Sequence, residues 1–454
     1  MKMKKIIVLL SLFTIQSYSQ CNIKSISMGA YKVTALKEDN TLYTWGYNNF
    51  YPGVVISPSQ IGIDSDWLMI RTGTYHTLGI KFNGTLWAWG ENYFGQLGIS
   101  YNPNNNLSLP TQVGTDNDWK YICAGNTHSA AIKNNGTLWT WGRNVYGQLG
   151  NGTWTDSAIP TQVGTDTNWE FIETSVEMMA ATKTDHTIWT WGNNEFGGLG
   201  NGTTIHRNTP SEVGEFSDWK SLKASRYYCL AIKNDNTLWA WGNNTFGQLG
   251  DGTNINKLNP IQIGNHNDWK EILTGEHHSL AIKNDGTLWS WGGNDFGQLG
   301  IGNQIDQNNP VQVGTERDWN KLGTGTYNSF AIKTDGVCWF WGRNNSGQLL
   351  MLTQPLTFES SPIQNTCNAV NLGVNLFSNL NLNIFPNPTS NFLNINNTTN
   401  KIVDKVSVSN ANGQIIIENY FIKDKIDVSD LPNGLYIINI TIANENFHLK
   451  FMKK

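Results

Sequence analysis

Three histidines are the first residues that could do acid–base or metal chemistry, because they recur at one position of an internal repeat. They are His76, His128 and His278. Other copies of the repeat hold Met178, Tyr228 and Asn328 at this position. The sequence also has no Cys-x-x-Cys pair, no calcium-loop spacing and no nucleophile elbow. We therefore expect a structural role for the histidines, no catalytic residues, no metal and no cofactor.

Aromatic and cationic side chains on loops are candidates for binding rather than catalysis. Trp154 is the only one of the 20 tryptophans without a counterpart in other copies. It lies in a variable stretch where neighbouring copies hold Tyr101, His206, Arg207 and Lys257. A second group precedes the Ala-Ile-Lys motif and consists of Tyr75, Arg226, Tyr227, His277 and Tyr327. Such residues on a rigid scaffold are typical anchors for partners, although chance exposure explains any single one equally well.

The elements that would carry these loops follow from a repeat of about 50 residues. Its most regular copy is AIKNDGTLWSWGGNDFGQLG, from Ala281 to Gly300. The second tryptophan of the Trp-x-Trp-Gly motif recurs at Trp45, Trp89, Trp141, Trp191, Trp241, Trp291 and Trp341. Four short strand patterns per copy are typical of a propeller blade. The sequence therefore predicts an all-β, seven-bladed β-propeller over residues 21–366. Strand exchange between its ends would close the ring, but the sequence does not show at which strand each blade begins.

The Asp285-Gly286 pair between two alternating runs predicts a β-hairpin with a type I′ turn. A two-residue turn would place Ile282 opposite Trp289 and Leu280 opposite Trp291. One face of the hairpin would then be large and the other small, so that the large face packs on the small face of the next copy. Phe340 is the exception on the small face, and it lies in the last copy, where the ring must close.

The first 20 residues predict a secretory signal peptide. Lysines precede a short apolar run, Ile6 to Ile15, and Ser17 and Ser19 are suitable for a cleavage site. The run is too short to cross a bilayer and no later run is longer, so we expect no transmembrane segment. A lipid anchor on Cys21 is the alternative, although the residues before it form a poor lipoprotein signal.

Cysteines and charge limit the partners further. Cys123, Cys229 and Cys338 lie in strand patterns and are expected to be buried. Cys21 and Cys367 flank the repeats, and because the ends of a ring meet, a disulfide between them is a hypothesis for an exported protein. The formal charge of −4 provides no basic surface, so nucleic acid is not an expected partner.

The repeat motifs resemble those of the regulator-of-chromosome-condensation family over about residues 22–366. They are Trp-x-Trp-Gly, Gly-Gln-Leu-Gly, Ala-Ile-Lys-x-Asp-Gly-x-Leu, and Gly-x-x-His-Ser at Gly125 to Ser129 and Gly275 to Ser279. The resemblance implies a seven-bladed propeller. The best-known member exchanges guanine nucleotide on a small GTPase, but the predicted export signal argues against a GTPase partner, and no exchange residues can be matched. A secreted inhibitor of β-lactamases is similar in fold and acts by binding alone, which is the nearer analogy.

The sequence changes character after a linker at residues 367–380. Residues 381–454 lack tryptophan and combine alternating strand patterns with turns. Their motifs are Phe385 to Pro388, Phe392 to Ile395, Asn412-Gly413, Leu431 to Tyr436 and Lys453-Lys454. They resemble the type A sorting domain of the type IX secretion system. The resemblance implies a small β-sandwich that directs export, and an ordinary β-sandwich module is the alternative.

The sequence thus predicts a secreted or surface-exposed propeller that binds a protein or a surface glycan and interacts with the type IX machinery. The alternatives are a polysaccharide hydrolase or lyase on a propeller scaffold and a structural adhesin domain. An acidic pair converging in the ring channel would favour the hydrolase, and the repeat positions reveal none.

Overall fold

The computed structural model describes residues 23–29, 32–47, 54–100, 106–174, 176–344, 349, 358–365, 382–385, 389–397, 403–410, 415–420, 425–442 and 445–453. The chain divides into two compact units, Met1–Val370 and Asn371–Lys454. The predicted signal peptide, the 367–380 linker, Tyr101, Cys21 and Cys367 lie outside the described residues. The disulfide and the cleavage site therefore stay predictions.

The described part of the first unit contains seven antiparallel sheets, each built from four strands that follow one another in the chain. Blade 1 contains β1 (Ile23–Met28), β2 (Lys32–Lys37), β3 (Leu42–Tyr47) and β4 (Val54–Ile61). Blade 2 contains β5 (Trp67–Thr72), β6 (His76–Lys81), β7 (Leu86–Gly90) and β8 (Leu107–Gln112). Blade 3 contains β9 (Trp119–Ala124), β10 (His128–Lys133), β11 (Leu138–Gly142) and β12 (Ser157–Gln162). Blade 4 contains β13 (Trp169–Thr174), β14 (Met178–Lys183), β15 (Ile188–Gly192) and β16 (Arg207–Glu212).

The last three blades repeat this order. Blade 5 contains β17 (Trp219–Ser225), β18 (Tyr228–Lys233), β19 (Leu238–Gly242) and β20 (Lys257–Gln262). Blade 6 contains β21 (Trp269–Thr274), β22 (His278–Lys283), β23 (Leu288–Gly292) and β24 (Gln307–Val313). Blade 7 contains β25 (Trp319–Thr324), β26 (Asn328–Lys333), β27 (Cys338–Arg343) and β28 (Phe358–Asn365).

The blades form a closed ring with their first strands innermost. The first strand of every blade contacts the first strands of both neighbours, and β1 contacts β25. This confirms the predicted all-β, seven-bladed propeller. Because the four described strands of each blade are consecutive, the ring closes by packing blade 7 against blade 1 rather than by exchange of a strand.

The hairpin turn differs from the predicted type I′ turn. The amide of Lys283 donates to the carbonyl of Thr287 at 3.1 Å, which closes a three-residue loop, and the amide of Gly286 donates to the Lys283 carbonyl at 2.9 Å. Gly286 has a φ of 80°, whereas Asp285 is not among the positive-φ residues. This geometry is a type I turn followed by a G1 bulge, which needs one left-handed residue rather than two.

The extra turn residue shifts the register by one, so the predicted pairs of Ile282 with Trp289 and of Leu280 with Trp291 are wrong. Ala281 pairs with Trp289 instead. A one-residue shift moves every side chain to the opposite face. Each regular blade therefore has an indole face, on which a small residue lies beside two tryptophans, and an aliphatic face. The aliphatic face of blade 6 carries Leu280, Ile282 and Leu288.

The aliphatic face of each blade packs against the indole face of the next. Between blades 3 and 4, Ile132 and Leu138 share one buried cluster with Trp169, Ala181 and Trp191. The alanine thus makes room for the indoles on its own face, and the neighbouring blade supplies isoleucine and leucine. Large and small residues do interlock, but across a different pair of surfaces from the one predicted.

A lysine lies between two indoles at the edge opposite the variable loops. In blade 4, the ammonium of Lys183 is 4.7 Å from the ring centroid of Trp169 and 3.9 Å from that of Trp189. Its ion pair with Asp166 measures 2.7 Å. Equivalent lysines are Lys81, Lys133, Lys233, Lys283 and Lys333. This cation–π contact explains the lysine of the Ala-Ile-Lys motif.

The outermost strands carry a proline that limits edge pairing. Pro110, Pro160, Pro210, Pro260 and Pro310 all lie within fourth strands. Proline has no backbone N–H and is tolerated at sheet edges, where it blocks the addition of another strand. The outer edges are therefore poorly suited to recognition by strand addition.

The recurring histidines are completely buried and link neighbouring blades. Nε2 of His76 lies 2.8 Å from Oγ of Ser129 in the next blade, and Nε2 of His278 lies 2.8 Å from Oγ of Ser329. Burial lowers the pKa of His76, His128 and His278 to about 3. The three imidazoles are therefore neutral inter-blade contacts.

The second unit contains two antiparallel sheets with one apolar core. Its strands are β29 (Leu382–Phe385), β30 (Phe392–Asn397), β31 (Val403–Asn410), β32 (Ile415–Tyr420), β33 (Lys425–Asp427), β34 (Gly434–Ile442) and β35 (Glu445–Lys453). They are ordered β29-β30-β33 and β32-β31-β34-β35. Leu393 from the first sheet and Val408 and Ile438 from the second are fully buried in a shared cluster. The unit is therefore a small β domain of sandwich type.

Closure of the ring depends on two phenylalanines. Phe330 and Phe340 are stacked with their centroids 5.5 Å apart, and they share a buried cluster with Val33 and Trp45 of blade 1. Blade 1 begins with Ile23 where regular blades begin with tryptophan, so the larger residues of blade 7 fill the space. We predict that Phe340→Ala lowers the free energy of unfolding by about 3–5 kcal/mol, because it leaves a cavity at the closing interface.

Urea denaturation of the Phe340→Ala and wild-type proteins measures this loss. Ile159→Ala is the control, because Ile159 is 59% exposed and its removal should change stability by less than about 0.5 kcal/mol. Equal losses for the two variants would contradict a special role of Phe340 in closure.

The histidines predict acid lability. Their folded-state pKa of about 3 lies below the ordinary value of 6.5, so the unfolded chain binds protons first. Stability is unaffected above pH 6.5 and decreases as the pH falls from 6.5 towards 3, by at most roughly 5 kcal/mol per histidine. His278→Asn introduces the residue that blade 7 already has at this position, and it should flatten the pH dependence of the urea midpoint. An unchanged slope would contradict this assignment.

Candidate binding surface

The described members of both groups of predicted binding residues lie on one face of the propeller. In blade 3, His128 pairs with Gly142, so the connection that precedes β10 and the connection that follows β11 lie at the same edge of the sheet. We call this side, formed by the described first-to-second and third-to-fourth strand connections, the loop face. The other side carries the hairpin turns.

A buried asparagine organises the long connection of the loop face in the described parts of blades 2 to 7. Oδ1 of Asn144 accepts a hydrogen bond from the Leu149 amide at 2.9 Å. Its Nδ2 donates to the carbonyls of Thr153 and Thr155, both at 3.0 Å, and its own amide donates to Asp156 at 2.7 Å. The same residue in other blades is Asn92, Asn194, Asn244, Asn294 or Asn344. These bonds fix the base of the loop and leave its tip free to vary.

Trp154 lies at the tip of such a fixed loop. Its side chain is 49% exposed, although tryptophan is usually more buried. The neighbouring Thr153 and Thr155 are also exposed, and their carbonyls are held by Asn144. The loop therefore presents an indole to solvent at little further conformational cost on binding, which is the property of a partner anchor.

Two other members of the first group have structural contacts instead. Nδ1 of His206 accepts a hydrogen bond from the Asn194 amide at 2.9 Å, as Asp156 does for Asn144. Lys257 forms an ion pair with Asp251 at 2.9 Å. Arg207 is exposed at the start of β16, and Tyr101 lies outside the described residues.

On blades 5 to 7 the second group forms a belt on the loop face. There each aromatic residue packs on a phenylalanine of the preceding blade: Tyr227 on Phe196 at 5.0 Å, His277 on Phe246 at 4.6 Å and Tyr327 on Phe296 at 5.1 Å. The hydroxyl of Tyr227 also donates to Glu177 at 3.2 Å. Tyr75 is half-buried, and its carbonyl accepts the Glu91 amide at 3.0 Å.

Charges within the belt are paired. Arg226 forms an ion pair with Glu276, and Nε2 of His277 lies 3.6 Å from the same carboxylate. Burial lowers the pKa of His277, with Glu276 acting in the opposite direction. Burial likewise raises the pKa of the Tyr227 hydroxyl. The belt is therefore a largely satisfied surface of neutral aromatic groups, and Tyr227 holds a left-handed φ of 68° within it.

Three exposed isoleucines, which were not among the predicted binding residues, lie in the same long connection as Trp154 on the following three blades. Ile205, Ile255 and Ile305 are 69%, 66% and 65% exposed at equivalent loop positions. The sequence signal that could have identified them is the isoleucine at the same position of three successive repeats. Together with Trp154 they place apolar side chains on four successive blades, which extends the candidate surface along the loop face.

The innermost strands carry three glutamates, of which Glu173 and Glu271 are partly buried and Glu170 is exposed. Glu173 forms an ion pair with Lys223. Burial raises the pKa of Glu271, while the Leu322 amide and Lys223 act in the opposite direction. A cation thus acts on both carboxyls, which differs from the paired carboxyls of glycoside hydrolases.

Within the described ranges, no group of three or more His, Cys, Asp or Glu side chains could hold a metal ion. The same part of the chain contains no helix that is long and apolar enough to cross a membrane.

Seven blades built on one tryptophan-rich hairpin motif define a seven-bladed β-propeller with a loop face. The chain belongs to the family of regulator of chromosome condensation (RCC1) repeat proteins. The family model matches residues 83–132, 135–177, 185–232, 235–282 and 285–332. A second RCC1 repeat model matches residues 23–51, 119–148, 219–248 and 271–298. Residues 383–454 match the secretion system C-terminal sorting domain, which indicates export to the cell surface or medium.

Solved structures share the propeller fold. Human WBSCR16 is 18% identical with a TM-score of 0.63, covering 68% of this chain and 85% of that one. Yeast RCC1 (Prp20), in a structure with bound Kap60, is 21% identical with a TM-score of 0.62, covering 73% and 81%. Among curated proteins, the human probable E3 ubiquitin-protein ligase HERC4 is 25% identical over 156 residues. This alignment covers 30% of the present chain and only 14% of HERC4.

The loop geometry predicts a local effect of Asn144→Ala. Asn144 is fully buried, and its loss leaves the Leu149 amide and two carbonyls without their partners, at about 1–3 kcal/mol for each buried group. We expect faster hydrogen exchange over residues 144–156 and a lower melting temperature. Asn134→Ala, at the exposed turn of the same blade, is the control and should change neither. Unchanged exchange in the Asn144 variant would show that the loop is held by other contacts.

Proposed function

We propose that this protein is exported through the type IX secretion system and binds a protein partner or a surface glycan through its loop face, without catalysis of its own. The observation that carries the proposal is the exposed Trp154 on a loop fixed by Asn144. An aromatic anchor on a rigid loop is typical of hot spots in protein interfaces. The sorting domain at residues 383–454 supports the export step.

Three further observations favour binding. The loop face adds exposed isoleucines to Trp154, so the surface is larger than one side chain. Prolines in the fourth strands disfavour recognition by strand addition at the outer edges. Lys223 acts on both partly buried channel glutamates, so they do not form the free acidic pair that a polysaccharide hydrolase would need.

Of the two partner classes, we favour a protein. Trp154 and the exposed isoleucines of the loop face offer apolar area, and most of the charged belt residues are already paired with each other. The yeast relative whose structure contains Kap60 also forms a protein complex, which supports this choice by analogy only. Because the predicted signal peptide directs the chain out of the cell, a GTPase is not the partner we expect.

Affinity capture tests the proposal. The full-length chain is immobilised and exposed to surface and medium proteins of the producing cells, and captured proteins are quantified by mass spectrometry. We expect Trp154→Ala to reduce capture of the specific partner about tenfold or more, as for an interface anchor. Phe82→Ala is the matched control, because Phe82 is a 55% exposed aromatic residue in a hairpin turn on the opposite face.

The outcomes separate the alternatives. Loss of capture with Trp154→Ala alone supports a loop-face partner. If protease treatment of the captured material abolishes binding, the partner is a protein, whereas sensitivity to periodate alone identifies a glycan. Equal capture by both variants and the wild type would contradict a site at Trp154.

A further inference from the structure

A groove of about 520 Å³ separates the outer parts of blades 6 and 7. One wall is the loop from Gly300 to Asn303 and the outer strand of blade 6, and the other contains Trp319, Trp339 and Ser361 of blade 7. This volume lies within the range of about 300–1,000 Å³ typical of small-molecule sites. Trp154 is not among the lining residues, so the groove is separate from the loop-face anchor.

The groove is open because blade 7 departs from the repeat at one covering position. In other blades this position holds Asp64, Asp116 and Asp166, which form ion pairs with the lysine beside the indoles, or Phe216 and His266, which pack on the indoles. In blade 7 the residue is Glu316, whose carboxylate turns back to accept the Thr315 amide at 2.9 Å. Lys333 still lies over the indoles of Trp319 and Trp339, but no side chain takes the place of Asp166, Phe216 or His266 beside them, and both indoles line the groove.

A small residue at a variable position lowers the outer wall. Before the proline of the outer strand, blades 5 and 6 have Asn259 and Asn309, and blade 7 has the smaller Ser361. The amide of Asn309 lies against Gly252, whereas Ser361 lies opposite Gly302 at the groove. Glu316 and Ser361 thus leave the same space open.

The lining matches one class of ligand. The partly exposed indole of Trp339 offers apolar surface, and Asn303, Gln307 and Gln312 offer amides that both donate and accept hydrogen bonds. Glu316 is the only charged residue in the lining, and no cation belongs to it. The nearest indole-bound cation, Lys333, is ion-paired with Asp318 at 3.1 Å. This chemistry disfavours phosphate, sulfate and uronate groups and suits a ligand with hydroxyl groups and apolar C–H faces.

We propose that the groove between blades 6 and 7 binds a neutral oligosaccharide, with Trp339 as the apolar platform and Glu316 and the neighbouring amides as hydrogen-bonding partners for its hydroxyl groups. The site does not rest on the loop-face function and would operate whether or not Trp154 binds a partner. It gives the protein a contact with neutral glycans on the outer edge of the ring, away from the loop tips.

Saturation-transfer NMR and isothermal titration calorimetry on the full-length protein test this site. The probes are neutral gluco-, manno-, xylo- and galacto-oligosaccharides, with oligogalacturonate as the anionic comparison. We expect binding of at least one neutral probe and none of the anionic one. Glu316→Phe introduces the residue that blade 5 has at this position, and it should weaken binding at least about tenfold by filling the groove. Ser361→Asn should weaken it in the same direction.

Two controls make the result decisive. Both groove variants use residues found at the same positions of other blades, so their melting temperatures should stay at the wild-type value. Trp154→Ala should bind the saccharide normally, which separates failure of this proposal from failure of the loop-face function. Absence of binding to every neutral probe, or binding that Glu316→Phe leaves unchanged, would overturn the proposal.

Discussion

The packing of an aliphatic face on an indole face is the interaction on which the rest of the structure depends. Neither face is stable in water alone, and each finds its complement only on a neighbouring blade. The indole N–H groups connect the blades as well: Nε1 of Trp191 donates to the Gln148 carbonyl of the preceding blade at 3.0 Å. Since Gln148 belongs to the Gly-Gln-Leu-Gly motif, core packing and the conformation of the long loop are fixed together. The two end blades can bury their exposed faces only against each other, so burial requires that the ring closes.

The period of the repeat was enough to predict the architecture, because seven equal tryptophan-rich hairpins have few ways to bury their surfaces. The register was not predictable from Asp285-Gly286. A type I′ turn and a type I turn with a G1 bulge both accept this pair, and they differ by one residue in strand pairing. Asn40, His186 and Asn236 hold positive φ at the second turn position, which both turns allow. The backbone hydrogen bond from the Lys283 amide to the Thr287 carbonyl distinguishes the type I turn with a G1 bulge from the type I′ turn.

The sequence predicted which loops carry candidate binding residues. It did not predict which of these residues make structural contacts instead. His206 and Asp156 both lie twelve residues after the buried asparagine and accept its amide, so alignment of the copies could have identified His206 as structural. Lys257 pairs with Asp251, a contact that depends on loop curvature and leaves no pattern in the sequence. Trp154 has no counterpart in the other copies of the repeat. Since the other copies fold without such a residue, Trp154 is not required for the fold and is a candidate for binding.

This division between fixed and free positions explains how one scaffold can accommodate different partners. Asn144 satisfies the backbone of its loop from within, so a change at Trp154 removes no hydrogen bond on which the blade relies. The blade 7 groove follows the same rule, because Glu316 occupies a covering position where other blades use aspartate, phenylalanine or histidine. The ring tolerates each choice since the indoles beneath remain packed against the preceding blade. Variation at loop tips and covering positions therefore changes the exposed surface without changing the fold.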